Sequence, residues 1–205
     1  MKTPAFRALA VSALGLGLAT AVFAGGFVRP IIGIADPSTD GYSSATTAGL
    51  CAGYYWNSES SSITKEASLE IGYTKWTYRG DVEGYGVRAK EEYLPVMLNL
   101  RAHFPLGKEL ERVRFYFGPS LGLAQARGSI KVSDGEDTYS GSVSDWSFCF
   151  GGTAGFVFQL TDKIDLDVGF RLLRLEGSDF DVEGYSVESE TSTTKIWYAG
   201  LGYRF

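Results

Sequence analysis

The sequence contains few of the residues that several common protein classes need. Its 205 residues include two cysteines, one histidine and six prolines, and the formal net charge is −5. Two cysteines do not make a disulfide framework, and the negative charge argues against nucleic acid as a partner. We find no GxSxG motif, no cluster of metal ligands and no phosphate-binding loop. The sequence therefore predicts a non-enzymatic protein that needs no cofactor.

Long hydrophobic runs are absent except at the N-terminus. Lys2 and Arg7 precede the uncharged run ALAVSALGLGLATAVFA, which ends at Ala24 with residues that a signal peptidase accepts. This pattern predicts an export signal peptide over residues 1–24 and a mature domain over residues 25–205. A retained membrane anchor is the alternative, although the run is barely long enough to span a bilayer.

What the chain does have is typical of an all-β protein. Aromatic residues make up 14% of it and glycine occurs 26 times. Apolar and polar residues alternate with a period of two, which indicates strands with two different faces. This alternation predicts eight strands, and no helical periodicity competes with it beyond the N-terminal run. The predicted strands cover residues 27–35, 50–56, 66–78, 93–104, 113–124, 146–160, 164–172 and 195–205.

The third predicted strand breaks the alternation. Leu69, Ile71 and Tyr73 share one face, but Trp76 is out of phase with them, which predicts a β-bulge near Thr74.

Short and long connections alternate along the chain. Long polar segments at residues 36–45, 79–88, 127–145 and 176–194 predict extracellular loops, and the shorter connections predict periplasmic turns.

The two faces of the strands decide between a soluble and a membrane barrel. A soluble, lipocalin-like barrel would turn its bulky faces inward, whereas a membrane barrel turns them toward lipid. The apolar faces here are uncharged over about nine residues, close to the length of a tilted span. The opposite faces combine glycines with charges, as expected inside a narrow lumen. We therefore predict a membrane-spanning, antiparallel, up-and-down β-barrel of eight strands, because a closed barrel leaves no unpaired edge in lipid.

Several segments resemble a known family. FGGTAGFVFQLTDKIDLDVGFRLLRL and KIWYAGLGYRF resemble the last three strands of the opacity-protein and OmpA-type outer-membrane barrels, and YLPVMLNLRAHFP and FYFGPSLGLA resemble the fourth and fifth. The resemblance implies a monomer in the bacterial outer membrane, in contact with lipid and lipopolysaccharide. It also implies that Tyr203 and Phe205 form a C-terminal signal for the outer-membrane insertion machinery. The loops match nothing in that family.

The polar faces place charged residues inside the predicted barrel. Eight strands enclose a lumen that side chains fill, and charges removed from water need partners. A lumenal ion-pair network is the main interpretation, and a narrow path for ions or small solutes is the alternative. The charged residues predicted to face the lumen are Arg29, Glu70, Arg101, Arg114, Asp165, Asp167, Arg171 and Arg204.

Three of these carboxylates are expected to neutralise two of the arginines. We expect Arg101 and Arg114 to pair with Glu70, Asp165 or Asp167.

Other predicted features are structural. His103 is interpreted as a structural or ion-paired residue rather than a catalytic one. Cys51 and Cys149 face the lumen on opposite strands and are expected to be free. An interfacial aromatic girdle at strand ends is predicted, with a carbohydrate-binding platform as the alternative. The predicted girdle consists of Trp56, Trp146, Trp197 and Tyr203.

The motif DVEGY occurs at residues 81–85 and 181–185, in two of the predicted outer loops. Its carboxylates contribute to an acidic extracellular rim, which we interpret as a solvated loop surface, with weak divalent-cation binding as the alternative. The rim residues are Asp81, Glu83, Asp181 and Glu183. The sequence thus favours a structural or surface-interaction role, adhesin-like, and leaves a narrow porin as the alternative.

Overall fold

The computed structural model describes residues 25–38, 42–57, 62–82, 85–133, 138–176, 179–182, 185–188 and 191–205. The predicted signal peptide, residues 1–24, lies outside this part of the chain. A single 3-10 turn at Lys108–Leu110 is the only helical element in the described part. The strands are β1 (Gly26–Pro37), β2 (Ala45–Asn57), β3 (Thr64–Val82), β4 (Tyr85–Pro105), β5 (Val113–Ser133), β6 (Thr138–Gln159), β7 (Ile164–Leu175), β8 (Asp179–Val182), β9 (Tyr185–Glu188) and β10 (Ser192–Arg204).

Eight of these strands form one closed antiparallel barrel in the order β1-β10-β7-β6-β5-β4-β3-β2. The barrel closes where β1 pairs with β10, with Phe27 opposite Arg204 and Ile34 opposite Trp197. The prediction of an eight-stranded up-and-down barrel is therefore confirmed. The remaining strands, β8 and β9, form a separate hairpin between β7 and β10. None of the described helical residues belongs to a helix long and apolar enough to cross a membrane.

Side chains alternate between the lumen and the outer surface along every barrel strand, as the pleat requires. The outward residues form an apolar belt in which Ile32, Phe117 and Leu201 are each more than half exposed. On β3 the belt is bounded by the outward-facing Lys65 and Lys75. At about 3.3 Å per residue and a tilt of about 40°, these two lysines lie about 25 Å apart along the barrel axis, the height of a membrane-facing band.

The bulge predicted near Thr74 is wrong. The pairing of β3 with β2 runs without interruption from Asn57 opposite Thr64 to Thr47 opposite Thr74, and the register with β4 is equally constant. Trp76 lies out of phase with the outer face because its side chain points into the lumen, where it is buried.

Two of the predicted outer loops are also wrong in large part. Residues 79–82 and 85–88 continue β3 and β4, and residues 127–133 and 138–145 continue β5 and β6. Outside the apolar belt a strand does not need a lipid-facing apolar side, so the hydrophobic alternation that identified the strands disappears there. The result is a four-stranded sheet, β3-β4-β5-β6, that rises beyond the belt on one side of the barrel.

Candidate functional site

The lumen contains a buried polar layer centred on Asp167 of β7. One carboxylate oxygen, Oδ2, lies 2.8 Å from Nη1 of Arg29 on β1 and 3.0 Å from Nη1 of Arg101 on β4. The other oxygen accepts a hydrogen bond of 2.6 Å from the hydroxyl of Tyr116 on β5. Side chains from three other strands thus converge on one carboxylate that water does not reach.

Glu66 of β3 completes this layer and was not among the predicted site residues. Its carboxylate lies 3.4 Å from Nη1 of Arg101, 3.6 Å from Nη2 of Arg29 and 3.0 Å from Nε2 of His103. His103 is therefore an ion-pair or hydrogen-bond partner of a buried carboxylate. The signal that would have identified Glu66 is its period-two spacing from Glu70, because both lie on the lumenal face of β3.

A second ion pair lies across the lumen. Arg171 of β7 donates two hydrogen bonds of 2.7 Å to the two carboxylate oxygens of Glu70 on β3, in the bidentate geometry that makes such pairs strong. Asn99 also donates to Glu70 at 3.2 Å. β3 and β7 stand on opposite sides of the eight-stranded ring, so this pair spans the full diameter of the barrel.

At the end of the barrel near the C-terminus, the two remaining arginines have different partners. Arg204 pairs with Asp165 through an Nη2–Oδ1 distance of 2.8 Å and an Nε–Oδ2 distance of 2.9 Å. Arg114 instead donates to the hydroxyl of Thr64 at 3.1 Å, and in the described part of the chain no carboxylate forms an ion pair with it. The expected pairing of Arg114 with a lumenal carboxylate is wrong, because Arg204 engages Asp165.

Two tyrosines extend the polar layer around Asp167. The hydroxyl of Tyr116 lies 2.7 Å from that of Tyr198 on β10, and Arg101 donates to Tyr198 at 3.3 Å. β4 and β10 also face each other across the ring, so this contact again crosses the full diameter. Gly169 provides the space, since a Cβ atom added there would lie 2.6 Å from the Tyr198 hydroxyl oxygen. Sequence reasoning missed both tyrosines because it considered only charged residues as members of the network.

The charges of this layer are arranged as ion pairs. Each buried charge is neutralised by a partner on another strand, as charges removed from water require. Within the described ranges no group of three or more histidine, cysteine or acidic side chains could hold a metal ion.

Cys51 and Cys149 are both free and buried on the lumenal faces of β2 and β6. These strands stand on opposite sides of the ring, so the expectation of unpaired cysteines is confirmed. We expect a membrane-impermeant maleimide to label neither cysteine in the folded protein and both after unfolding in urea, as measured by intact mass. Labelling of either cysteine before unfolding would show that reagent-sized molecules reach that part of the lumen.

The predicted girdle residues all lie on the outer face. Trp56 lies next to the end of β2, and Tyr203 lies near the end of β10. Trp146 and Trp197 lie within β6 and β10 rather than at strand ends, which corrects the predicted placement. Trp197 is nevertheless the last apolar side chain before the outward-facing Lys195, and it is 64% exposed.

The acidic rim lies mostly outside what the structure describes. Glu83 and Glu183 are not among the described residues, and only the backbone of Asp81 and Asp181 is described. The two DVEGY copies lie in different strand pairs but occupy equivalent positions in them. In each copy the valine and the tyrosine are cross-strand partners in an antiparallel pair, Val82 with Tyr85 in β3-β4 and Val182 with Tyr185 in β8-β9.

Comparison with known proteins agrees with this architecture. No curated protein sequence matches the chain. Three similar solved structures are the attachment invasion locus protein Ail of Yersinia pestis bound to a heparin analogue, a major outer membrane protein of Thermus thermophilus and Neisserial surface protein A. They share 18%, 13% and 17% sequence identity with the chain, at TM-scores of 0.53, 0.51 and 0.50. The matches cover 89%, 88% and 89% of this chain and 100%, 99% and 98% of theirs.

At these identities the likeness shows the fold. The family model described as the outer membrane protein beta-barrel domain matches residues 6–205, nearly the whole chain. This fold and this family place the protein in the bacterial outer membrane, and the chain belongs to the outer membrane protein β-barrel family.

Proposed function

We propose that this protein is a non-enzymatic, non-conducting outer-membrane barrel that acts through its extracellular surface. The observation that carries this proposal is the pair of contacts across the full width of the lumen, from Arg171 to Glu70 and from Arg101 to Tyr198. The four side chains that make these contacts are at most 5% exposed. An eight-stranded barrel is just wide enough to be filled by side chains, and these contacts fill it.

The part of the protein outside the membrane supports a surface role. The sheet β3-β4-β5-β6 extends beyond the apolar belt, and from Lys75 to Val82 it adds about 23 Å of strand. Two of the similar structures are named as a surface protein and an attachment invasion locus protein. We propose an adhesin-like or structural contact for the extracellular sheet, with the lipid and lipopolysaccharide of the outer membrane around the belt.

The C-terminal residues fit the proposed insertion signal. The rings of Tyr203 and Phe205 meet edge to face at 5.5 Å, and both side chains are exposed on the outer surface. The Phe205 N–H donates to the carbonyl of Gly26 at 3.0 Å, so the signal lies at the strand pair that closes the barrel. We propose that the outer-membrane insertion machinery recognises these two side chains.

A narrow porin is the competing function, and single-channel recording separates the two. We expect the folded protein in planar lipid bilayers in 1 M KCl to show no steady open level, because paired side chains fill the lumen. A water-filled porin in the same bilayers serves as the positive control. Insertion of the folded protein is checked independently by its heat-dependent migration in SDS gels. A reproducible open level in most insertions would contradict the sealed lumen and favour the porin.

A further inference from the structure

The lipid-facing surface of the barrel carries an open apolar groove. It crosses β4, β5 and β6 and has a volume of about 930 Å³, within the range of small-molecule binding sites. Small outward-facing residues on these three neighbouring strands, Ala102, Pro119 and Gly152, form its floor. A Cβ atom added at Gly152 would have its nearest neighbour at 3.8 Å, so the space in front of this residue is open.

Larger apolar side chains border this floor. Leu100 of β4 borders it on the side of the extended sheet, and Phe117 of β5 borders it on the opposite side. The ring of Phe117 stacks on the ring of Phe104 at 5.4 Å, with the two planes 8° apart, which holds this wall in place. Leu172 of β7, the Cα partner of Gly152, ends the groove. The floor therefore lies between apolar walls that can contact a hydrocarbon chain along its length.

The groove rises diagonally across the apolar belt. Its lower end, on the side of the C-terminus, is lined by Trp56 of β2 and Lys65 of β3, which are Cα partners. The same row of cross-strand partners continues through β4, β5 and β6 to Phe170 of β7 and then to Trp197 at the upper end of the belt. With about 4.8 Å between strands and a tilt of about 40°, the row rises about 12 Å from Lys65 to Phe170. This rise is about half the height of the belt, which is the depth of one lipid leaflet.

Lys65 brings a positive charge to the lower end of the groove. It is exposed at the boundary of the belt, and no carboxylate among the described residues forms an ion pair with it. Lys75, at the upper boundary on the same face of β3, is instead paired with Glu92 at 2.6 Å. Tryptophan is enriched where lipid chains meet headgroups, so Trp56 beside Lys65 fits the same depth. An unpaired cation at this depth, next to an apolar groove, is complementary to the phosphate of a lipid.

We propose that the groove binds one anionic phospholipid of the periplasmic leaflet, with its phosphate at Lys65 and an acyl chain along Ala102 and Gly152. With the extended sheet outside the cell, as proposed above, the lower boundary of the belt meets that leaflet, and the groove ends near the middle of the membrane. An anionic headgroup is favoured because Trp56 and Ala102, the cross-strand partners of Lys65, offer no carboxylate to an ammonium group. The site goes beyond the proposed surface function, and its failure in the tests below would leave that function standing.

The experiment is native mass spectrometry of the folded protein released from lipid nanodiscs. The nanodiscs contain equal amounts of phosphatidylglycerol and phosphatidylethanolamine with identical acyl chains, so the two probes differ only in the headgroup. We expect one lipid to remain on each protein, with phosphatidylglycerol retained about fivefold over phosphatidylethanolamine, the factor that one basic side chain contributes near an anionic lipid surface. Equal retention of the two lipids, or retention of neither, would overturn the proposal.

One pair of variants tests the headgroup contact. Lys65→Gln removes the charge at the lower end of the groove and should reduce the preference for phosphatidylglycerol to about one. Lys75→Gln makes the same change at the upper boundary on the same face of β3, and the preference should stay at about fivefold. A preference that both variants lose, or that neither loses, would mean that Lys65 does not hold the headgroup and would overturn the proposal.

A second pair tests the acyl-chain contact. Gly152→Leu fills the open space in the groove and should abolish retention of both lipids, without a clash that would prevent folding. Ala52→Leu places the same side chain on the lipid-facing side of β2, outside the groove, and should retain the lipid as the unchanged protein does. Heat-dependent migration in SDS gels confirms that each variant is folded. Retention that survives Gly152→Leu would place the lipid elsewhere on the barrel and contradict the proposed site.

Discussion

Replacement of Asp167 by asparagine is expected to lower the free energy of unfolding by about 3–5 kcal/mol, the typical cost of breaking a buried ion pair from one side. The change keeps the size of the side chain but removes the negative charge that lies 2.8 Å from Arg29 and 3.0 Å from Arg101. Glu66 would then be the carboxylate nearest to both buried guanidinium groups, at 3.4 Å from Arg101 and 3.6 Å from Arg29. Urea unfolding of the protein in lipid vesicles, followed by tryptophan fluorescence, measures the loss.

The matched control is Asp162→Asn in the turn between β6 and β7, which removes the same charge from an exposed site. An exposed substitution away from special features changes stability by at most about 0.5 kcal/mol. Equal effects of the two variants would mean that water solvates Asp167 and that the polar layer is not a seal. A double variant with Asp167→Asn and Arg29→Gln should recover part of the loss, because it removes one of the stranded positive charges.

The barrel was predictable because the lipid imposes its pattern on the sequence. Wherever a strand crosses the belt, its outer face must be apolar, and its inner face is free to be small or charged. The rule holds without exception for the outward-facing residues of β4 from Leu94 to Phe104 and of β5 from Phe115 to Leu123. The eight strands and their directions follow from it, since short and long connections alternate.

The two wrong predictions, the bulge and the long loops, follow from the same dependence on a lipid-facing pattern. Trp76 indicated a bulge because an aromatic residue was expected to face lipid, yet the outer half of this lumen is apolar and accepts it. Residues 79–88 and 127–145 were assigned to loops because water, unlike lipid, imposes no apolar face on a strand. Backbone pairing alone maintains the sheet there, and a period-two hydrophobic pattern cannot detect it.

The polar layer was predictable in its members but not in its pairs. Arg29, Arg101 and Asp167 are found in the lumen because strand parity determines which face a residue occupies. Which carboxylate meets which arginine depends on the stagger of strands across the barrel, and sequence spacing does not contain it. Arg114 shows the consequence, because the carboxylate expected for it is engaged by Arg204.

Replacement of Gly151 by alanine is expected to destabilise the barrel by about 3 kcal/mol, the upper range for forcing extra volume into a packed site. Gly151 lies on the lumenal face of β6 opposite Leu173 of β7. A Cβ atom added there would overlap the backbone carbonyl oxygen of Leu172. Backbone atoms of a paired strand cannot move aside without breaking ladder hydrogen bonds, and in a membrane no water replaces those bonds.

The neighbouring glycine provides the matched control. Gly152 points to the lipid side, and a Cβ atom added there would have the Gly118 carbonyl oxygen, at 3.8 Å, as its nearest neighbour. We expect Gly152→Ala to change stability by at most about 0.5 kcal/mol. The urea midpoint in lipid vesicles and the folded fraction in unheated SDS gels measure both variants. If Gly151→Ala folds as well as Gly152→Ala, β6 and β7 are farther apart at this position than the structure shows. That result would contradict the close packing of the lumenal face at Gly151.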